Sequence, residues 1–146
     1  MSAISKYLSL SLCAAIFFLA AAYLDLTLRA RNAYLEGEKY MAWAKDPALK
    51  ERAVENIFSA RLETLERGRT GNSAPAEDIE DEKELLTAEK NFKKGESAAK
   101  YAYIWYRTAA EDFSPPATRW TVLARRKAPE ALALWEAESG SGKSGE

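Results

Sequence analysis

The chain has 146 residues, of which 21 are basic and 22 are acidic, so its formal net charge at pH 7 is only −1. Because the charges nearly cancel, the chain has no long-range electrostatic field that would attract nucleic acids or other polyanions. We therefore expect no nucleic-acid partner. Histidine is absent, which removes the commonest general base and the commonest metal ligand. We therefore expect no enzymatic activity, no cofactor and no metal site.

The first predicted element is a membrane-spanning helix at the amino terminus. Residues 7–24 carry no charge. At about 1.5 Å per residue the segment, extended to Leu28, crosses a hydrocarbon core of about 30 Å. We predict a single transmembrane anchor over residues 1–28, in contact with membrane lipid. The span is marked by Tyr7, Phe17, Phe18 and Leu24.

A cleaved secretory signal is the alternative for the same segment. Lys6 would form its charged region, and residues 20–22, all alanine, would form a small-residue cleavage site. We favour a retained anchor or uncleaved signal anchor, because the apolar stretch continues past residue 22. No proline or glycine interrupts the helix before Glu36, so the span is predicted to continue directly into a stalk.

The charges around the span and its alanine run give opposed indications of the side on which the domain lies. Lys6 precedes the span, whereas Arg29, Arg31 and Lys39 follow it, and the positive-inside rule associates this distribution with a cytoplasmic domain. A short flank with one lysine is also typical of a signal anchor, and the alanine run resembles an export signal. We favour the extracytoplasmic side.

Residues 29–138 are predicted to form one all-α domain. Ala, Glu, Lys, Leu and Arg dominate this part, and no run alternates with period two. The stalk helix is predicted to end at Lys45, with Asp46 as N-cap and Pro47 in the first turn of a second helix. That second helix is predicted to end near residue 67 with Gly68 as C-cap, followed by a loop over residues 68–76.

A row of apolar and small residues with three-four spacing follows the loop and predicts one long helix packed along another. The alternative is a break at Gly95, with Ser97 as the N-cap of a new helix. We favour the single helix, because the phase of the row is unbroken. The row consists of Leu85, Ala88, Phe92, Gly95, Ala99, Ala102, Tyr106, Ala109 and Phe113.

The last helix is predicted to follow residues 114–116, Ser-Pro-Pro, since proline cannot continue a helix interior. Ser114 is the expected N-cap, Trp120 lies on the apolar face, and Pro129 is expected to kink or restart the helix. Residues 139–146 are rich in glycine and serine, and we predict a flexible tail there.

The aromatic segment 101–113 has two interpretations. It is either the buried central helix of a small bundle, or a helix whose aromatic rings stay partly exposed and form a docking surface. Both can hold for different residues of the segment. The candidate partner-binding residues are Tyr103, Trp105, Tyr106, Arg107 and Trp120.

Residues 105–111, WYRTAAE, with Ala102 before them, resemble the A-x-x-W-Y-x-x-A-A-E stretch of Sel1-like helical repeats, which are relatives of the tetratricopeptide repeats. The resemblance covers one repeat unit, and Phe113 stands where a turn glycine is usual. It implies a helical-hairpin bundle of tetratricopeptide type and a protein-binding scaffold.

Together these features predict a membrane-anchored helical adaptor, scaffold or accessory subunit that docks a protein through the aromatic helix. The alternative is a small assembly or regulatory subunit that acts through its transmembrane helix, where Ser11, Ala14 and Ala15 permit close helix packing. An enzyme is the least favoured class. Small residues along the stalk, such as Ala30 and Gly37, also leave a homo-oligomer open.

Overall fold

The computed structural model describes residues 3–69 and 76–141, with side chains over residues 10–68 and 80–140, and this part is helical with no strand. The all-α prediction is therefore confirmed. In chain order the helices are α1 (Ala3–Lys45), α2 (Pro47–Arg69), α3 (Ala76–Gly95), α4 (Ala98–Glu111) and α5 (Arg119–Ser141).

Helix α1 runs without a break from the apolar segment into the folded domain, as the sequence predicts. Its most apolar window has a mean hydropathy of 1.9, and none of that window is buried against the rest of the chain. Phe17, Phe18 and Leu24 are exposed, whereas the side chain of Tyr7 lies outside the described residues. By length and composition, α1 is a candidate transmembrane helix.

The carboxyl half of α1 forms a three-helix bundle with α4 and α5. Tyr101 of α4 stacks on Tyr40, and Tyr106 packs against Tyr34, so α4 runs antiparallel to α1. Most buried side chains are small, which lets the helix backbones approach closely, and Tyr106 is the large residue among them. The core consists of Ala33, Met41, Ala102, Tyr106, Ala109, Ala110, Ala124 and Ala131.

Helices α2 and α3 form a hairpin beside the bundle. Among the described residues, the α3 backbone packs on α2 alone, and α2 packs on α1. Val54 and Phe58 are the buried residues of α2. Ion pairs link the two helices, with Lys90 Nζ at 2.6 Å from Glu55 and Arg61 Nη1 at 2.9 Å from Glu89.

The single long helix predicted over the row from Leu85 to Phe113 is wrong. Ser97 has extended backbone angles, and its Oγ accepts a hydrogen bond from the Lys100 amide at 3.0 Å, so it is the N-cap of α4. The two halves of the row face different surroundings, because Leu85 and Phe92 are about two-thirds exposed, at 70% and 66%, whereas the α4 half is buried.

The start of α5 also differs from the prediction. The N-cap is Thr118 rather than Ser114, because the Thr118 and Thr121 hydroxyls each accept from the other residue's amide, at 3.3 and 2.9 Å. This reciprocal pair resembles a capping box with threonine at both positions. The three residues between Ser114 and Thr118 form an irregular turn.

Three further boundaries are shifted. Helix α2 continues through Gly68 to Arg69, so Gly68 is not a C-cap, and residues 70–75 of the predicted loop lie outside the described residues. Helix α5 continues through Pro129 without restarting and reaches Ser141. The predicted tail therefore begins in helix, and its residues 142–146 lie outside the described part.

Candidate functional site: an aromatic cleft

Tyr106, one of the predicted docking residues, is a core residue. Its side chain is 0% exposed, and its hydroxyl donates to the Glu38 carboxylate at 2.6 Å. Burial, and then the bond to Glu38, raise the pKa of this hydroxyl well above its ordinary value. The buried interpretation of the aromatic helix therefore applies to this residue.

The other predicted docking residues do not form one surface. Tyr103 and Trp105 are half-buried and lie two residues apart, which places them on opposite sides of α4. Tyr103 packs against Trp135 of α5, with ring centroids 6.1 Å apart. Arg107 is exposed and paired with Glu111 at 2.8 Å. Trp120 lies at the far end of the bundle, against Tyr34.

A different group of aromatic residues forms a cleft of about 290 Å³ between the bundle and the hairpin, which we call the aromatic cleft. Tyr40 and Trp43 of α1 and Tyr101 of α4 form one wall. The rings of Tyr40 and Tyr101 stack at 5.3 Å, and those of Tyr40 and Trp43 meet edge to face at 5.1 Å. The opposite wall comes from α2, where Ile57 is 51% exposed beside the buried Val54.

Lys50 of α2 lines the cleft and links α2 to the end of α3. Its ammonium group donates to the main-chain oxygens of Lys94, at 2.8 Å, and of Glu96. These bonds satisfy carbonyl groups at the end of α3, which have no partner within the helix. The Lys50 side chain is partly buried, and this burial lowers its pKa.

The lining of the cleft carries an excess of positive charge. Its basic residues are Lys39, Lys50, Arg61 and Lys93, and its acidic residues are Glu89 and Glu96. Both carboxylates are already engaged, since Glu89 pairs with Arg61 at 2.9 Å and Glu96 accepts from the Tyr101 hydroxyl at 2.5 Å. The bond to Glu96 raises the pKa of Tyr101.

Lys93 and Lys39 of the cleft lining are positioned to contact a negatively charged group of a ligand. Lys93 forms no ion pair within the described part of the chain. The Lys39 ammonium is ion-paired with Glu36 and lies 4.9 Å from the Tyr40 ring centroid and 5.6 Å from that of Trp43. The arrangement can hold an apolar side chain against the rings with a negative group beside the lysines.

Sequence reasoning did not identify this cleft, because its walls come from three segments that were interpreted separately. Tyr40 and Trp43 were treated as part of a plain stalk, although their three-residue spacing places both rings on one face of α1. That spacing was the available signal. Tyr101 belongs to the aromatic segment but was not selected within it.

Comparison with protein-family models, with curated proteins and with solved structures finds no match to this chain. The resemblance to Sel1-like repeats thus stays a prediction.

Proposed function

We propose that this chain is a membrane-anchored helical adaptor that docks a protein partner in the aromatic cleft. The observation that carries the proposal is the cleft itself, where three aromatic rings and an exposed isoleucine line a concave surface beside basic side chains. Aromatic residues that remain accessible in a concavity are typical of binding hot spots.

The cleft favours a short partner segment with an apolar anchor side chain and an acidic neighbour. Its volume of about 290 Å³ is at the lower limit of ligand pockets and suits one or two side chains rather than a large cofactor. The anchor would pack between Tyr40 and Ile57. A carboxylate beside it would meet Lys93, whose charge is not neutralised by a described carboxylate.

Site-specific crosslinking and matched variants test this docking site. The full-length chain is purified from gently solubilised membranes with a photoreactive residue at position 57 or, as control, at position 85. Both positions are exposed apolar residues of the hairpin, but only Ile57 lines the cleft. We expect a crosslinked protein partner from position 57 only.

The variant Ile57→Glu is expected to lower partner recovery about tenfold or more, because a charge replaces an apolar contact worth roughly 2 kcal/mol at a hot spot. Leu85→Glu, a change of the same kind outside the cleft, is expected to leave recovery unchanged. Equal recovery from both variants, with helicity intact, would exclude the aromatic cleft as the docking site.

The second candidate function, an assembly or regulatory subunit acting within the membrane, is supported by the uncovered apolar half of α1. Replacing residues 7–24 by an unrelated apolar span of equal length separates the two functions. Unchanged partner recovery supports docking through the cleft. Loss of recovery with a folded domain supports action through the span.

We further propose that the helical domain lies on the extracytoplasmic side of the membrane. The chain has a single cysteine, Cys13, so a Cys13→Ser background allows one new thiol to report the side. We expect Ser139→Cys in that background to react with a membrane-impermeant maleimide in intact cells. Labelling only after the cells are opened would place the domain in the cytoplasm.

A further inference from the structure

Trp120 is close to two arginines at the end of the bundle where the apolar half of α1 emerges. Its ring centroid is 5.7 Å from the guanidinium carbon of Arg31 on α1 and 5.5 Å from that of Arg119 at the start of α5. The ring of Tyr34 packs against the same indole at 5.6 Å. We call Arg31, Trp120 and Arg119 the Arg–Trp–Arg cluster.

The cluster carries positive charge that the described part of the chain leaves unpaired. Neither Arg31 nor Arg119 forms an ion pair with a described carboxylate, and both side chains are exposed. Asp25, which precedes the cluster on α1, is occupied by Arg29 at 2.8 Å. The guanidinium groups therefore keep their donors for a partner outside the chain.

The register of α1 places the cluster at the level of lipid headgroups. The closely spaced exposed apolar side chains end at Leu28, with Leu35 the next one along α1, and Arg31 follows Leu28 by about 4.5 Å along the helix axis. The headgroup layer on each side of the hydrocarbon core is roughly 5–7 Å thick. Tryptophan is enriched in this layer, and the guanidinium fork matches the oxygens of a phosphate.

We propose that the Arg–Trp–Arg cluster binds the phosphate of an anionic phospholipid in the membrane that α1 crosses. This rests on the membrane anchoring within the proposed function and is independent of the aromatic cleft. Arg31 and Arg119 donate to phosphate oxygens, while Trp120 orients both groups through cation–π contact. The contact holds the start of α5 and the preceding turn against the bilayer and so fixes the orientation of the bundle above the membrane.

Hydrogen exchange in bilayers of defined composition tests the proposal. The full-length chain is reconstituted into nanodiscs of phosphatidylcholine alone or of phosphatidylcholine with phosphatidylglycerol. We expect the amides of residues 112–122 to exchange roughly five- to tenfold more slowly in the anionic discs, since one arginine near such a surface gives a factor of about five.

A matched pair of variants assigns the effect to the cluster. Arg31→Gln with Arg119→Gln is expected to abolish the difference between the two bilayers, with helicity unchanged because both side chains are exposed. Arg52→Gln with Lys100→Gln removes the same charge from exposed positions on α2 and α4 and is expected to keep the difference.

The outcomes that would overturn the proposal are distinct. Equal exchange of the native chain in both bilayers, or equal losses in both double variants, would exclude a contact of this cluster that is specific for anionic headgroups. Protection of the turn by a recovered protein partner, but by neither bilayer, would assign the cluster to a protein ligand. Release of the chain from membranes by alkaline washing would contradict the proposed membrane anchor as well as the lipid contact. Retention in the membrane, with exchange that does not depend on the lipid, would contradict the lipid contact of the cluster alone.

Discussion

Tyr106 and Gly37 together determine how closely α1 and α4 approach each other. A Cβ atom added at Gly37 would lie 2.6 Å from Cδ1 and 2.7 Å from Cε1 of the Tyr106 ring, so the ring occupies the space that any other residue would need. Because Tyr106 is fully buried, it has no adjacent free volume into which it can turn. The glycine in the stalk is thus required by packing, although the backbone there is ordinary helix.

Gly37→Ala is expected to destabilise the domain by about 1–2 kcal/mol. Overpacking a well-filled core costs roughly 1–3 kcal/mol, and the gain of up to about 1 kcal/mol from replacing a helical glycine offsets only part of it. Gly68→Ala is the control, because no atom lies within 4 Å of its added Cβ, and it is expected to be neutral or stabilising. Urea unfolding of the full chain in a mild non-ionic detergent measures both, and equal effects would contradict the close contact.

The Tyr106 hydroxyl makes the stability of the bundle sensitive to high pH. Its pKa is raised in the folded chain, so the folded state retains a proton that the unfolded state loses above about pH 10. Stability is therefore full below pH 10 and falls as the pH rises further, by about 1 kcal/mol between pH 10 and 11 for this one proton.

Tyr106→Phe is expected to flatten this alkaline decline and to lower stability at pH 8 by about 1.5–3 kcal/mol, because Glu38 loses the buried one of its two tyrosine donors, Tyr106 and Tyr34. Part of the fall in unfolding free energy at alkaline pH is expected to remain in this variant, because the pKa values of Tyr34 and Tyr101 are also raised. Unfolding free energies at pH 8, 10 and 11 measure both effects. An undiminished decline in the variant would assign the titration to other groups.

At the level of helices, Ser97 separates α3 from α4 with two hydrogen bonds. Its Oγ accepts from the Lys100 amide and donates to Glu138 of α5 at 2.5 Å. The unbroken three-four row led to the wrong prediction of one long helix. Each of the two helices carries an apolar stripe, and the two stripes continue in phase along the sequence. Periodicity reports which residues share a face, whereas the surroundings of that face are decided by packing.

Ser97→Ala distinguishes a cap from a helix interior by the sign of its effect. Loss of the N-cap is expected to destabilise the domain by about 1 kcal/mol. In one continuous helix, alanine would instead stabilise it by a few tenths of a kcal/mol. Ser59→Ala, at an exposed position inside α2, is the interior control and is expected to be neutral or stabilising. Thermal unfolding followed by circular dichroism compares the two.

The helix boundaries show where local sequence signals are sufficient. The turn from α1 to α2 was predicted correctly, because Asp46 and Pro47 act within a few residues and Asp46 Oδ1 accepts from the Leu49 amide at 3.1 Å. The start of α5 was not, because Ser114 is by local preference at least as suitable a cap as Thr118. Thr118 was selected by tertiary packing that buries it with Thr121, which local spacing does not contain.

At the scale of the whole molecule, the described residues form an apolar helix, a compact bundle and a hairpin whose helix α2 packs on α1. The apolar helix was predictable from the length of its uncharged segment, and the helices of the bundle were predictable from the spacing of their apolar residues. The link from α2 to the end of α3, and with it the aromatic cleft, was not predictable, since Lys50 bonds to main-chain oxygens of Lys94 and Glu96, more than forty positions away. No periodic pattern encodes such a contact.

Lys50→Met is expected to loosen the hairpin while leaving the bundle intact, because it removes two charge-assisted bonds to the end of α3 and keeps the length of the side chain. Amides of residues 85–95 should exchange about tenfold faster, from a loss of roughly 1–2 kcal/mol, whereas those of α4 and α5 keep their rates. Lys100→Met, at an exposed position on α4, is the control. Uniform acceleration in every helix would show instead that hairpin and bundle open as one unit.

Since Lys50 also lines the aromatic cleft, a bound partner should slow the exchange of the same α3 amides in the native chain, and this protection should be weaker in Lys50→Met.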